Sequence, residues 1–193
     1  MADSKLFWFD VETTGLDSKL NDIIQLGCLI EINGKIEEEY NFLCQPFNYK
    51  MISAKALEIN RSNVKDLKLR ITPQETYDKL IKILDKHIDK YNREDKFYPA
   101  GYNVRFDVDF LNNFFRKNNN NYYGSYFDYH LLSIDVLIHL LDYRGLIKLE
   151  NYKLVTVAKH FGLQLNAHDA LSDIKVTRQV MYKLFNYLKG DQK

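Results

Sequence analysis

The sequence predicts an α/β fold, in which a central sheet carries helices on its faces. A hairpin signal near the start of the chain, a strand-like segment much further along and several amphipathic helical segments lead to this prediction. The chain has 193 residues, of which 46% are apolar, and this size and composition suit one globular domain over residues 1–193.

The strand predictions are firmest in the first quarter of the chain. Asn33-Gly34 separates two strand-like segments, and this dipeptide favours a tight hairpin because both turn positions need a positive φ. We therefore expect the first three strands to pair antiparallel. The predicted strands cover residues 5–11, 22–32, 35–44 and 96–102.

The clearest helix signal begins at Thr72. Thr72 is a good N-cap, Pro73 suits the first helical position and Glu75 completes a capping box. Periodic apolar residues continue this helix to about Asn92. Similar patterns predict helices at residues 53–60, 103–117, 131–142 and 152–161, and from Asp169 or Ala170 to about Lys189.

Composition excludes several classes of protein. No apolar run approaches the roughly 18 residues that span a membrane, and the N-terminus lacks the pattern of a signal peptide. Cys28 and Cys44 fall in strand-like segments, where small buried thiols of a reducing compartment are expected rather than a disulfide. We therefore expect a cytoplasmic protein with no membrane partner.

The charge pattern is uninformative overall and uneven locally. The net charge of +1 is not the signature of a nucleic-acid binder. Residues 50–70 contain six basic and two acidic side chains, a local excess of +4, for which a solvated helix face is the simpler interpretation.

Two carboxylates end the first predicted strand. Asp10 and Glu12 follow an apolar run and stand two residues apart, so they point to the same face of the strand. Like charges side by side repel one another unless a cation lies between them. Hard divalent cations such as Mg²⁺ prefer carboxylate oxygens, so the pair indicates a metal site.

Three more features accompany this pair at the ends of predicted elements. Asp107 lies where a strand gives way to a helix, and His168 and Asp173 lie at the start of the last helix. Thr13-Thr14-Gly15 forms a polar turn in which Gly15 permits close approach of a ligand. Each feature alone has an ordinary structural explanation, whereas their combination in this order indicates a catalytic site.

Three strings carry a resemblance to a known family. FDVETTG, GYNVRFDVDFL and HDALSDIKVT resemble the three motifs of the DnaQ-like 3′→5′ exonucleases, in the subclass with a histidine in the third motif. The resemblance extends over residues 5–187. It implies a ribonuclease-H-like fold with a central mixed five-stranded sheet flanked by helices. The fifth strand is then expected near residues 133–137, inside a segment whose apolar pattern predicts a helix.

The resemblance also implies roles for individual residues. Asp10, Glu12, Asp107 and Asp173 would hold two divalent metal ions, Mg²⁺ or alternatively Mn²⁺, whose combined charge balances four carboxylates. His168 would be the general base that takes a proton from the attacking water, since a neutral imidazole accepts protons near pH 7.

The same resemblance implies contacts with the substrate. Leu16 or Leu57 would wedge against the terminal base, and Lys55 and Arg61 are candidate phosphate contacts. The expected substrate-binding residues are Thr13, Thr14, Gly15, Leu16, Leu57 and Asn103. Three nearby acids are expected to be bystanders, namely Asp17, Asp109 and Asp169. The family usually has a histidine where this chain has Tyr102.

Together these features predict a metal-dependent exonuclease. It would hydrolyse phosphodiester bonds from the 3′ ends of DNA, preferably single-stranded, and release nucleoside 5′-monophosphates in proofreading or repair. A DNA polymerase is then a candidate partner. An exoribonuclease or oligoribonuclease acting on RNA 3′ ends shares the motifs and remains an alternative. An inactive module that keeps the fold for binding is a second alternative.

Overall fold

Five strands form one mixed sheet in the computed structural model, which describes residues 4–188. The strands are β1 (Lys5–Thr13), β2 (Ile23–Ile32), β3 (Lys35–Leu43), β4 (Tyr98–Gly101) and β5 (Leu132–Ser133). Their order across the sheet is β3-β2-β1-β4-β5. The first three strands pair antiparallel, as the sequence predicts, and β4 runs parallel to both β1 and β5. At the hairpin, Asn33 and Gly34 have φ of 53° and 83°.

Seven α-helices lie in the described part of the chain. They are α1 (Ala54–Ile59), α2 (Val64–Leu67), α3 (Pro73–His87), α4 (Arg105–Lys117), α5 (Ile134–Tyr143), α6 (Leu154–His160) and α7 (Ala170–Leu188). The predicted end of the last helix at Lys189 lies outside the described residues. None of the helices described is long and apolar enough to cross a membrane.

Several boundaries differ from the sequence prediction, and the fifth strand lies at Leu132–Ser133 rather than near 133–137. Helix α3 ends at His87 rather than near Asn92, because Ile88 turns to an extended conformation and is buried. The predicted helix at 131–142 begins only at Ile134, since Leu132 and Ser133 pair with β4 as the short fifth strand. A single apolar pattern therefore covers the end of a strand and the start of a helix.

Alternate residues of β1 face two different cores. Phe7 and Phe9 pack in the core that contains α3 and α4, whereas Trp8 packs in the core formed with α5, α6 and α7. Trp8 is fully buried, and its Nε1 donates to Glu31 Oε2 over 3.1 Å. Because side chains alternate along a strand, the residues after Trp8 on the same face are Asp10 and then Glu12. Both carboxylates therefore face α7.

The first turn of α7 lies directly on the sheet at Gly27. Gly27 is paired with Asp10 in the β1–β2 ladder. A Cβ atom on Gly27 would lie 2.3 Å from the backbone nitrogen of Leu171, closer than real contacts allow. The absence of a side chain at this position lets α7 approach the sheet beside Asp10, and Asp173 follows on the same turn.

Candidate active site

Three carboxylates from two distant parts of the chain meet at the end of β1. Asp10, Glu12 and Asp173 each offer an oxygen, and these oxygens lie within 4.8 Å of one another. All three side chains are half-buried. Strand β1 supplies two of them on one face, and the first turn of α7 brings the third across the sheet from a distant part of the sequence.

The fourth predicted acid, Asp107, is held close to this cluster. It lies in the first turn of α4, is 3% exposed, and its Oδ1 accepts the backbone N–H of Val11 over 3.0 Å. Among the neighbouring charges, that of Asp107 raises the pKa of Asp10 most. Asp109, two residues further along α4, is exposed.

The cluster is electrostatically unfavourable without a cation. Burial is the main cause that raises the pKa of Asp10 well above its usual range, and the neighbouring carboxylates raise it further. Burial first, and then the charges of Asp173 and Asp169, raise the pKa of Glu12 to about 7. Burial likewise raises the pKa of Asp173 to about 6.

These residues fit a divalent metal ion. They are all oxygen donors, and a cation among them would remove the repulsion that raises their pKa values. The Asp173 carboxylate supports this fit, because its Oδ1 is buried and has no hydrogen-bond partner among the described residues. Its Oδ2 accepts the backbone N–H of His168 over 3.2 Å. One oxygen is thus fixed while the other is left for a ligand.

His168 lies beside Asp173 with its side chain exposed. Its φ of +67° is in the left-handed region, which forms the sharp bend before α7. The side chain lines a cavity of about 720 Å³ together with Asp173 and Asn103. Asn103 also has a positive φ, of 53°, and its N–H donates to Asp135 Oδ1 over 3.0 Å.

A second cavity, of about 330 Å³, is lined by Glu12 of the cluster. Leu16 and Ile59 line it and are 88% and 44% exposed, which gives it apolar walls. The predicted wedge residue Leu57 is half-buried and is not among the lining residues of this cavity. Ala56 and Ile59 of α1 line the cavity instead. Residues spaced i, i+3 lie on the same face of a helix, and this spacing is the sequence signal for the pair.

The predicted turn shapes this cavity mainly through its backbone. Thr13 and Thr14 are both buried, with exposed fractions of 7% and 0%. The Thr13 carbonyl oxygen accepts from Asn60 Nδ2 over 2.8 Å, and the Thr14 carbonyl oxygen accepts the Ser53 N–H over 2.8 Å. These bonds fix both ends of α1 against β1.

Gly15 lines the cavity, and the absence of a side chain at this position makes room for Asn21 rather than for a ligand. A Cβ at this position would lie 2.4 Å from the Asn21 side chain, so Asn21 occupies the space that the glycine leaves. Asn21 in turn donates to the Met51 carbonyl oxygen over 2.7 Å. The glycine therefore serves the packing of its own loop.

Two acidic residues near the site make buried or capping hydrogen bonds that the sequence does not predict. Asp22 is 3% exposed, and its carboxylate accepts from Asn48 N–H over 2.8 Å and from Lys117 Nζ over 2.7 Å. Asp169, expected to be a bystander, raises the pKa values of the clustered carboxylates and caps α7 by accepting the Ser172 N–H over 3.2 Å. Asp169 makes these contacts from outside the cluster of carboxylates, so its expected status as a bystander to catalysis stays a prediction.

Comparison with known proteins identifies the family of this chain. The family model described as Exonuclease, RNase T, matches residues 7–181. The chain is 29% identical over 189 residues to the PolC-type DNA polymerase III of Thermotoga maritima, covering 97% of this chain and 12% of that protein. It is 28% identical over 181 residues to the corresponding polymerase of Thermotoga petrophila, covering 93% and 12%.

A solved structure shares the fold. The crystal structure of E. coli exonuclease I in complex with a dT13 oligonucleotide superposes with a TM-score of 0.74 at 21% identity. The alignment covers 98% of this chain and 44% of that one. The predicted ribonuclease-H-like fold is thereby confirmed. Because the family model covers most of the chain, this protein belongs to the RNase T exonuclease family, which confirms the DnaQ-like resemblance of its three motifs.

Proposed function

We propose that this protein is a metal-dependent 3′→5′ exonuclease that acts on single-stranded ends of DNA and releases nucleoside 5′-monophosphates. The observation that carries the proposal is the cluster of Asp10, Glu12 and Asp173 beside an apolar cavity of about 330 Å³, a size that suits one nucleotide. The phosphodiester bond to be cut would then lie at the carboxylates, one nucleotide from the end of the strand.

Asp10, Glu12, Asp107 and Asp173 are the residues that would hold Mg²⁺, with Mn²⁺ as the alternative. Two such ions, when bound, supply charge neutralisation for the phosphate, activation of the attacking water and stabilisation of the leaving 3′ oxygen. The chain contributes the arrangement of the ligands. Strand β1 fixes Asp10 and Glu12, while the Val11 N–H and the His168 N–H orient Asp107 and Asp173.

We assign His168 as the general base. Its exposed imidazole borders the cavity that Asp173 also lines, and its backbone is bonded to the Asp173 carboxylate. A neutral imidazole in this position accepts a proton from the attacking water and passes it to solvent.

The terminal nucleotide would occupy the smaller cavity. Leu16 and Ile59 offer apolar surface for the base, because both line the cavity and are exposed. Lys55 lines the same cavity and can contact a phosphate oxygen. Arg61 is exposed and follows Asn60, which also lines the cavity, so it is a second candidate for a phosphate contact.

The relatives favour DNA over the RNA alternative. The PolC-type relatives are DNA polymerases, and the exonuclease I structure contains a dT13 oligonucleotide. The chain spans only 12% of those polymerases. Because these relatives are polymerases, we propose that it removes mismatched 3′ ends in association with a DNA polymerase.

The test uses oligonucleotides labelled at the 5′ end, as DNA and RNA, single- and double-stranded, with Mg²⁺ or Mn²⁺. We expect a ladder that shortens from the 3′ end of single-stranded DNA and stops when a chelator is added. Asp107→Asn should remove the activity, whereas Asp109→Asn, an exposed acid on the same helix, should not. Internal cuts, faster digestion of RNA, or intact substrate with binding alone would contradict the proposal.

A further inference from the structure

We infer that Gln25 and Asp169 are positioning residues, which hold the first turn of α7 against strand β2 and thereby place Asp173 and His168. The inference rests on the exonuclease function proposed above. It concerns two side chains that take no part in the cluster of carboxylates and that are joined across 144 positions of sequence.

Gln25 faces the same side of the sheet as the active site. It is paired with Glu12 in the β1–β2 ladder, and residues paired in this way share a face. Its side chain is 8% exposed, and its Nε2 donates to Asp169 Oδ1 over 2.7 Å and to Asn41 Oδ1 over 2.9 Å. The amide thus uses both of its hydrogens, one toward β3 and one toward α7.

Asp169 connects this amide to the catalytic residues. Its Oδ2 accepts the Ser172 N–H over 3.2 Å, and its carbonyl oxygen accepts the Asp173 N–H over 2.9 Å. His168 is the preceding residue and bonds to the same Asp173 carboxylate through its own N–H. A shift of Asp169 would therefore move both predicted catalytic residues of the third motif.

A donor is required at position 25. The Asp169 carboxylate lies near the clustered carboxylates, and both of its oxygens accept hydrogen bonds, Oδ1 from Gln25 Nε2 and Oδ2 from the Ser172 N–H. An acceptor in place of the Gln25 amide would repel Asp169 and loosen the turn. Residues that orient metal ligands in this way typically change affinity or activity by about 10- to 100-fold when they are replaced.

The test combines single and double substitutions. We expect Gln25→Glu to lower kcat and the affinity for Mn²⁺ by about 10- to 100-fold, with KM for a DNA oligonucleotide nearly unchanged. Adding Asp169→Asn should restore both, because the new amide at position 169 would donate to the new carboxylate at position 25 while its oxygen still caps Ser172. The double variant has the same net charge as the wild type, so a difference that remained between them could not be due to net charge.

The control is Glu39→Gln, which removes a different contact of α7, the exposed ion pair with Lys175 at 2.9 Å, and should leave kcat and Mn²⁺ affinity unchanged. Gln25→Met removes the donor without adding charge and should show the same pattern with smaller losses, which covers the case in which Gln25→Glu does not fold.

Mn²⁺ affinity is measured by calorimetry, independently of cleavage. If the wild-type protein binds Mn²⁺ but releases no mononucleotide, the proposed exonuclease function fails while the positioning role is still tested by the Mn²⁺ affinities. Unchanged kcat and affinity in both Gln25 variants, or a double variant no better than Gln25→Glu, would overturn the inference.

Discussion

Thr14 and Asp22 are joined by two reciprocal hydrogen bonds. The Thr14 N–H donates to the Asp22 carbonyl oxygen and the Asp22 N–H donates to Thr14 Oγ1, each over 2.9 Å. Thr14 is completely buried. The pair closes the loop of residues 15–21, which carries Gly15 and Leu16 into the lining of the smaller cavity. The shape of the proposed nucleotide site therefore depends on one threonine hydroxyl.

Replacing Thr14 should affect substrate binding more than chemistry. Thr14→Val keeps the shape of the side chain but leaves the Asp22 N–H without its acceptor, which costs about 1–3 kcal/mol in a buried position. We expect a lower free energy of unfolding, a raised KM for single-stranded DNA and a smaller change in kcat, measured by denaturant titration and steady-state kinetics.

Thr76→Val is the matched control, because Thr76 is 1% exposed and its hydroxyl donates to the Thr72 carbonyl oxygen over 3.0 Å, in a helix away from the cavity. It should destabilise the protein without changing KM. Equal KM values for the two variants would contradict a special role of Thr14.

The raised pKa values predict how the stability of the metal-free protein depends on pH. The folded state binds the proton of Glu12 more tightly than the unfolded chain does, since the pKa of Glu12 rises from 4.5 to about 7 on folding. Its contribution is fully present below pH 4.5 and is lost as the pH rises to about 7. In the presence of a chelator, the free energy of unfolding should therefore fall over this range.

Glu12→Gln tests whether the Glu12 carboxylate causes this pH dependence of stability. At pH 8 with a chelator, the variant should be more stable than the wild type by an amount on the order of 1 kcal/mol, although its exonuclease activity is lost. At pH 4.5 the two proteins should be nearly equal. A variant that is less stable than the wild type at pH 8 would show that the charge of Glu12 does not destabilise the metal-free protein.

His168→Asn should separate proton transfer from metal binding. Asparagine adopts the positive φ of position 168 more readily than alanine, so the backbone bond to Asp173 is kept. We expect kcat to fall about 100- to 10,000-fold, as for the loss of a general base, with unchanged Mn²⁺ affinity. His160→Asn, at the end of α6, serves as the control. Near-normal kcat in His168→Asn would exclude the proposed base.

Gly27→Ala should push α7 away from the sheet. The added Cβ would meet the backbone of Leu171 at 2.3 Å, and relieving such a contact costs about 1–3 kcal/mol. Asp173 moves with this turn, so we expect lower thermal stability and at least a roughly 10-fold loss of kcat. Gly124→Ala is the control, because nothing lies within 4 Å of its added Cβ. Wild-type kcat in Gly27→Ala would contradict the close fit.

Local sequence signals predicted those parts of the fold that local contacts determine. The capping box of Thr72 and Glu75 is present with both of its hydrogen bonds, and Asn33-Gly34 forms the hairpin turn. The sequence pattern misplaces the far end of α3, because the burial of Ile88, where the helix ends, depends on the rest of the fold. Periodicity along one helix contains no information about that contact.

The sequence likewise predicts only part of the candidate site. The motifs identified the carboxylates that β1 and α7 bring together, since their chemistry requires those residue types. Gln25 and Asp22 could not be found in this way, because their roles depend on buried hydrogen bonds to residues far along the chain. A glutamine within an apolar strand or an aspartate before one has many ordinary explanations.

The position of Trp8 has a practical consequence. It is the only tryptophan of the sequence, it is fully buried, and it precedes Asp10 by two residues on the same face of β1, a distance of about 7 Å along the strand. All indole fluorescence therefore arises from one rigid place next to the carboxylates. Its emission, recorded during titration with a metal ion or an oligonucleotide, would therefore report binding at the site in solution. Neither the protein nor the oligonucleotide would need a label.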